Sequence, residues 1–130
     1  MHANGIMHRD IKPDNILMSN ELVCKISDFG VSKMIWESGS DLVHQSVGTP
    51  AFMSPALCHI GAVESHGYSD DVWALGITLY ALLMGRLPFY RDDLFELYEA
   101  IQHDELCLND CRASLACQDH VSYTHLTLPT

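Results

Sequence analysis

Apolar residues in this chain come in short groups with different periods. Ile16, Leu17 and Met18, then Leu22, Val23, Cys24 and Ile26, flank the polar run Ser19, Asn20 and Glu21. Two short apolar runs about a polar turn predict a small β-hairpin with strands at 16–18 and 22–26. Farther on, Val72, Trp73, Leu75, Ile77, Leu79, Leu82 and Leu83 occupy every side of a 3.6-residue period, so 71–84 is expected to be a buried core helix. Ser69 and Asp70 supply capping chemistry at its start, and Gly85 and Pro88 stop it. Leu94, Phe95, Leu97, Tyr98 and Ile101 fall on one face and predict a second, amphipathic helix. Residues 31–49 hold Ser32, Ser38, Gly39, Ser40 and Ser46 and are polar enough to be a mobile loop.

Composition narrows this picture only a little. With 130 residues there is room for one domain at most, and 48% hydrophobic residues suffice for a core. The net charge of −10 argues against nucleic acid or an anionic membrane as a partner, and an acidic face would favour basic peptides. The longest apolar stretch, 72–84, is short of the roughly 20 residues that span a bilayer. Cys24, Cys58, Cys107, Cys111 and Cys117 show no CxxC pair and are expected to be free thiols in a reducing compartment. Cys107, Cys111 and Cys117 lie near His103 and His120, but without the tight knuckle spacing of a zinc site, so no zinc is expected there.

The chemistry is concentrated near the start. His8-Arg9-Asp10-Ile11-Lys12-Pro13-Asp14-Asn15 resembles the catalytic loop of eukaryotic protein kinases, and Asp28-Phe29-Gly30 resembles their magnesium-binding turn. Either run alone is weak, but here they stand in the family's order and at its interval. The resemblance implies an α+β protein-kinase fold, here a mainly helical C-lobe with a short hairpin carrying the metal ligands. It also implies phosphoryl transfer from ATP with Mg, a reaction in which the protein positions groups and neutralises spreading charge. Asp10 would accept the hydroxyl proton, Lys12 would meet the γ-phosphate, and Asn15 and Asp28 would be hard oxygen ligands for magnesium. Leu17 would lie under the adenine ring, His8 and Phe29 would stack, and Asp71 would hold the catalytic-loop backbone. Lys12 and Thr49 fit the serine/threonine branch, with the Thr49 hydroxyl bracing Asp10 and Lys12. Residues 31–49 match the activation segment, with Arg9 the usual partner of a phosphate there.

Residues 48–56 resemble the segment that docks the substrate. One departure stands out: Ala56 occupies the place of a glutamate that in the family pairs with a buried arginine. The runs at 28–33, 47–53 and 71–80 are similar to calcium/calmodulin-dependent protein kinase kinases and related upstream kinases. That similarity implies a protein substrate, another kinase's activation loop among the candidates, in the cytoplasm or nucleus. Calmodulin would be a partner of a full-length parent only.

The recognisable kinase stretch is 1–108, with 109–120 unassigned. The start resembles the end of the helix before the catalytic loop, so the N-lobe, with its Gly-rich turn, strand lysine and helix glutamate, is expected to be missing and the chain inactive as written. Residues 121–130 look like one reading frame of a sequencing-library adapter, against the alternative of an alternating strand. Two non-catalytic readings stand beside the kinase: a pseudokinase scaffold, and a substrate-docking module.

Overall fold

The computed structural model describes residues 1–35, 39–44, 46–59, 64–108 and 118–119. Its strands are short and pair locally. β1 (Ile6–Met7) pairs antiparallel with β4 (Lys33–Met34), β2 (Ile16–Met18) with β3 (Cys24–Ile26), and β5 (Leu42–Val43) with β6 (Ser65–His66). Helix α1 spans Gly67–Met84 and α2 spans Leu94–His103. Short 3-10 turns at Pro13–Asn15, Pro50–Phe52 and Pro55–Cys58 each begin on a proline, whose fixed φ and missing N–H suit a first turn.

The hairpin forms where expected, with a narrower second strand. Ile16 faces Ile26, Leu17 faces Lys25 and Met18 faces Cys24. Leu22 and Val23 belong to the turn instead, because the Ser19 carbonyl accepts from Leu22 N and the Val23 carbonyl accepts from Ser19 N. Leu22 takes a left-handed φ of 60°, which no regular strand allows.

Helix α1 starts earlier than its apolar pattern indicated. Its N-cap is His66, which makes no side-chain cap, so Ser69 and Asp70 lie inside the first turns and do not cap it. The β5–β6 ladder ends at His66 and hands the chain directly to the helix. Gly85 ends it as expected, with a left-handed φ of 67° and its N–H donated to the Ala81 carbonyl.

The all-round apolar pattern of α1 is only half used. Trp73, Ala74, Ile77 and Tyr80 are buried, while Val72, Leu75, Leu82 and Leu83 are exposed among the described residues. The elements around the helix cover one face and leave a stripe at 72, 75, 82 and 83. In α2, Leu97, Ala100 and Ile101 pack inward, and the Asp93 carboxylate caps the helix by accepting from Phe95 N and Glu96 N.

The core joins Met7 of β1, Val43 of β5, Met53, Leu57 and Cys58 of the proline turns, and Trp73, Ile77, Leu97 and Ile101 of the helices. It therefore clamps the catalytic-loop strand, the middle and end of 31–58, and both helices together. The expectation of a mobile loop over 31–49 is corrected in part: 33–34 and 42–43 are paired in ladders. Ser38, Cys111, Cys117, His120 and the 121–130 tail lie outside the described residues.

Candidate active site

Helix α1 builds the site from below. Asp71 is buried, and its carboxylate accepts from His8 N at 2.8 Å and from Arg9 N at 2.7 Å. Arg9 adopts a left-handed φ of 68°, which turns successive amides toward one anion, as in a backbone nest. His2 Nε2 lies 2.7 Å from the same carboxylate, and its ring packs on Tyr68 at 4.5 Å. The sequence reading placed Asp71 correctly and missed His2.

Asp10 then sits at the centre of a hydrogen-bonded unit. Its Oδ1 accepts from Thr49 N at 3.1 Å and from Thr49 Oγ1 at 2.8 Å, and its Oδ2 accepts from Asn15 Nδ2 at 3.2 Å. Lys12 Nζ lies 3.3 Å from Oδ2 and donates to Thr49 Oγ1 at 2.7 Å. Burial is the largest single influence on Asp10 and pushes its pKa up. The hydrogen bonds from Thr49, Lys12 and Asn15, with the Lys12 charge, outweigh it and hold the carboxyl below its ordinary value. Asp10 is therefore a carboxylate, an acceptor already oriented by three side chains.

Gly48 makes the Thr49 contact possible. It has a φ of 111°, and a Cβ there would stand 2.5 Å from the Arg9 carbonyl. Only glycine lets the segment come this close to the catalytic loop.

The hairpin positions the other two expected ligands. Ser27 N donates to the Asn15 carbonyl at 2.8 Å, closing the hairpin's open end, so Asn15 enters one strand and Asp28 leaves the other. Asn15 spends its amide nitrogen on the Asp10 carbonyl, at 2.8 Å, and on Asp10 Oδ2, which leaves Oδ1 available to a cation. The Asp28 carboxylate is exposed and accepts Gly30 N at 3.2 Å from a backbone with φ 58°. Two oxygens with little local competition suit magnesium.

His8 fastens this turn to the catalytic loop. Its Nε2 is 2.9 Å from the Ser27 carbonyl, and its ring meets Phe29 edge-on at 4.9 Å, the stack expected from sequence. Thus Asp10, Lys12, Asn15 and Thr49 form one bonded unit, and Asp28 joins it through the hairpin base. Leu17 stands apart on β2, exposed, facing Lys25 across the ladder. Arg9 Nε donates to the Val31 carbonyl at 2.6 Å, tying the catalytic loop to the start of the activation segment. Among the described residues no helix is long and apolar enough to cross a membrane.

A second acidic centre escaped the sequence reading. Asp70, assigned there as a cap, accepts from Ser54 Oγ at 2.5 Å and from Ser65 Oγ at 2.6 Å, all three residues buried. Burial, the largest influence, pushes the Asp70 pKa up, helped by Asp71 and opposed by the two hydroxyls and His66. The signal for it was the Asp70-Asp71 pair beside an apolar helix, of which only Asp71 had an expected partner.

The sequence is similar to those of known proteins. A profile of the protein kinase domain matches residues 1–128. A calcium/calmodulin-dependent protein kinase kinase, cmkC of Emericella nidulans, is 46% identical over 79% of the chain. The serine/threonine-protein kinase GRIK2 of Arabidopsis thaliana is 37% identical over 85% of the chain, and TOS3 of Saccharomyces cerevisiae is 43% identical over 78%. The chain spans 20% of cmkC, 27% of GRIK2 and 20% of TOS3, so it corresponds to a part of each. With the kinase-domain profile matching nearly its whole length and its relatives named as serine/threonine kinases, the chain belongs to the protein kinase domain family, in the serine/threonine branch.

Proposed function

We propose that the chain is the catalytic-loop portion of a serine/threonine protein kinase, part of its C-lobe, acting with ATP and magnesium. The observation that supports this best is the Asp10 carboxylate, held by Thr49, Lys12 and Asn15 in one unit. Such a carboxylate takes the proton of a substrate serine or threonine as its oxygen bonds to the γ-phosphorus and the bond to the bridging oxygen breaks. Lys12 offers its charge to the transferred phosphoryl group while keeping the Thr49 hydroxyl in place. Asn15 and Asp28 would hold magnesium, which when bound would supply positive charge to the phosphate. Leu17 offers an apolar surface for the adenine. None of these residues is substituted, which favours a kinase over a scaffold.

The substrate we infer is another kinase's activation loop, by the similarity to a protein named a kinase kinase. Calmodulin control would belong to sequence outside these residues. The test is magnesium-ATP-dependent transfer to serine, threonine and tyrosine peptides by the full polypeptide and its Asp10→Asn variant. Transfer to serine or threonine should fall by about 10²-fold or more in the variant, the worth of a positioned proton acceptor. Tyrosine preference, or an Asp10→Asn enzyme with undiminished rate, overturns the mechanism. Residues 1–130 alone are expected to show no turnover above that control, since the lysine–glutamate pair of the other lobe is also required.

A further inference from the structure

We propose that Asp70 is a positioning residue for the substrate, fixing the docking segment 48–56 against the catalytic loop through Ser54. The proposal rests on the kinase reading above. Neighbouring carboxylates on the first turns of α1 hold two separate pieces of the site. Asp71 binds the amides of His8 and Arg9, and Asp70 binds the hydroxyl of Ser54, which lies between the turns Pro50–Phe52 and Pro55–Cys58. One helix end therefore sets the distance between the proton acceptor and the surface on which a peptide lies.

Three observations carry this. Ser54, Ser65 and Asp70 are 7%, 4% and 7% exposed, and both carboxylate oxygens are matched by a hydroxyl donor, so the cluster is closed. Breaking such a pair leaves a buried charge short of a donor. Next, one cavity is lined by Asp10, Thr49, Phe52, Met53, Asp70 and Asp71, so a shift of the segment is felt directly beneath Asp10. Finally, Ala56 deprives the segment of the carboxylate expected at its end. Asp70 brings a carboxylate to this segment from the helix, at Ser54. Ser65 completes the bracket, because it is also half of the β5–β6 ladder that holds Val43.

The experiment combines steady-state kinetics of the full polypeptide with amide hydrogen exchange. Ser54→Ala should raise the KM for a serine/threonine peptide about tenfold, the loss expected for one buried hydrogen bond to a charged group. The KM for ATP and kcat should change much less, because the lost interaction positions the peptide. Exchange across 52–58 should accelerate while 7–10 keeps its protection. Ser54→Thr, which retains the hydroxyl, should restore both. Equal falls in kcat and rises in both KM values would show a general structural defect and overturn the proposal, as would unchanged exchange at 52–58. A wild-type polypeptide without magnesium-ATP-dependent transfer removes the kinase reading instead, and the exchange comparison then decides the Ser54–Asp70 tie by itself.

Discussion

Thr49 shows how much one side chain controls. It gives both its backbone N–H and its hydroxyl to Asp10 Oδ1, and its hydroxyl receives Lys12. Thr49→Val keeps the shape and one amide donor, so the Asp10 pKa should rise toward the ordinary carboxylate range, as a carboxyl-carbon NMR titration would record. A depressed carboxylate stabilises the fold above its unfolded pKa, and that stability is lost as pH falls through the lower folded value. The stability gap between wild type and Thr49→Val should therefore close on acidification. Asp70, shifted upward, works in the opposite sense but is common to both proteins. At Asp28 a different signature is expected. Asp28→Asn would weaken the proposed metal site, so part of its lost activity should return with added magnesium, whereas Asp10→Asn should not respond. Asp10, Lys12 and Asn15 were legible in the sequence because they sit within one short loop. Ser54 and Asp70 were not, because their bond joins positions 16 apart and each residue has an ordinary local role to suggest instead.

Among the elements, the hairpin and both helices were readable, and their limits were not. Local turn chemistry at 19–23 overrode the strand pattern of Leu22 and Val23, and a ladder delivered the chain to α1 four residues early. The apolar period of α1 correctly marked a core element but said nothing about which face is covered here. Two substitutions test the joints between elements. Asp71→Ala removes the acceptor of two loop amides, and a cost of about 2–3 kcal/mol is expected, measured as a lower urea midpoint. Gly48→Ala forces a Cβ against the Arg9 carbonyl at a φ that alanine rarely adopts. It should cost on the order of 1–3 kcal/mol and detach Thr49 from Asp10, so activity falls with stability.

For the molecule as a whole, core and surface make contrasting predictions. Cys58 is 1% exposed, and burial pushes its thiol up to about 12, while Cys24 and Cys107 are exposed. Iodoacetamide at neutral pH should thus alkylate Cys24 and Cys107 well before Cys58, and mass spectrometry after urea should show that difference vanish. Apolar side chains stand exposed on the hairpin, at Leu17, Met18, Leu22 and Val23, and along α1. Residues 1–130 produced alone should bind a hydrophobic dye and associate with rising concentration, as sedimentation would show.

The grip of Asp71 on the catalytic loop has a consequence for the order in which the protein is made. His8 and Arg9 leave the ribosome before Asp71, whose carboxylate holds their amides and is encoded 63 and 62 positions later. Until α1 has emerged, the loop lacks the acceptor of its His8 and Arg9 amides. Closing so long an interval is slow compared with forming a hairpin, so the local 16–26 turn can fold early and wait. Synthesis therefore builds the hairpin between Asn15 and Asp28 before the loop around Asp10 is fastened, and a nascent chain halted before α1 holds Asp10, Lys12, Asn15, Asp28 and Thr49 without the carboxylate that anchors their loop.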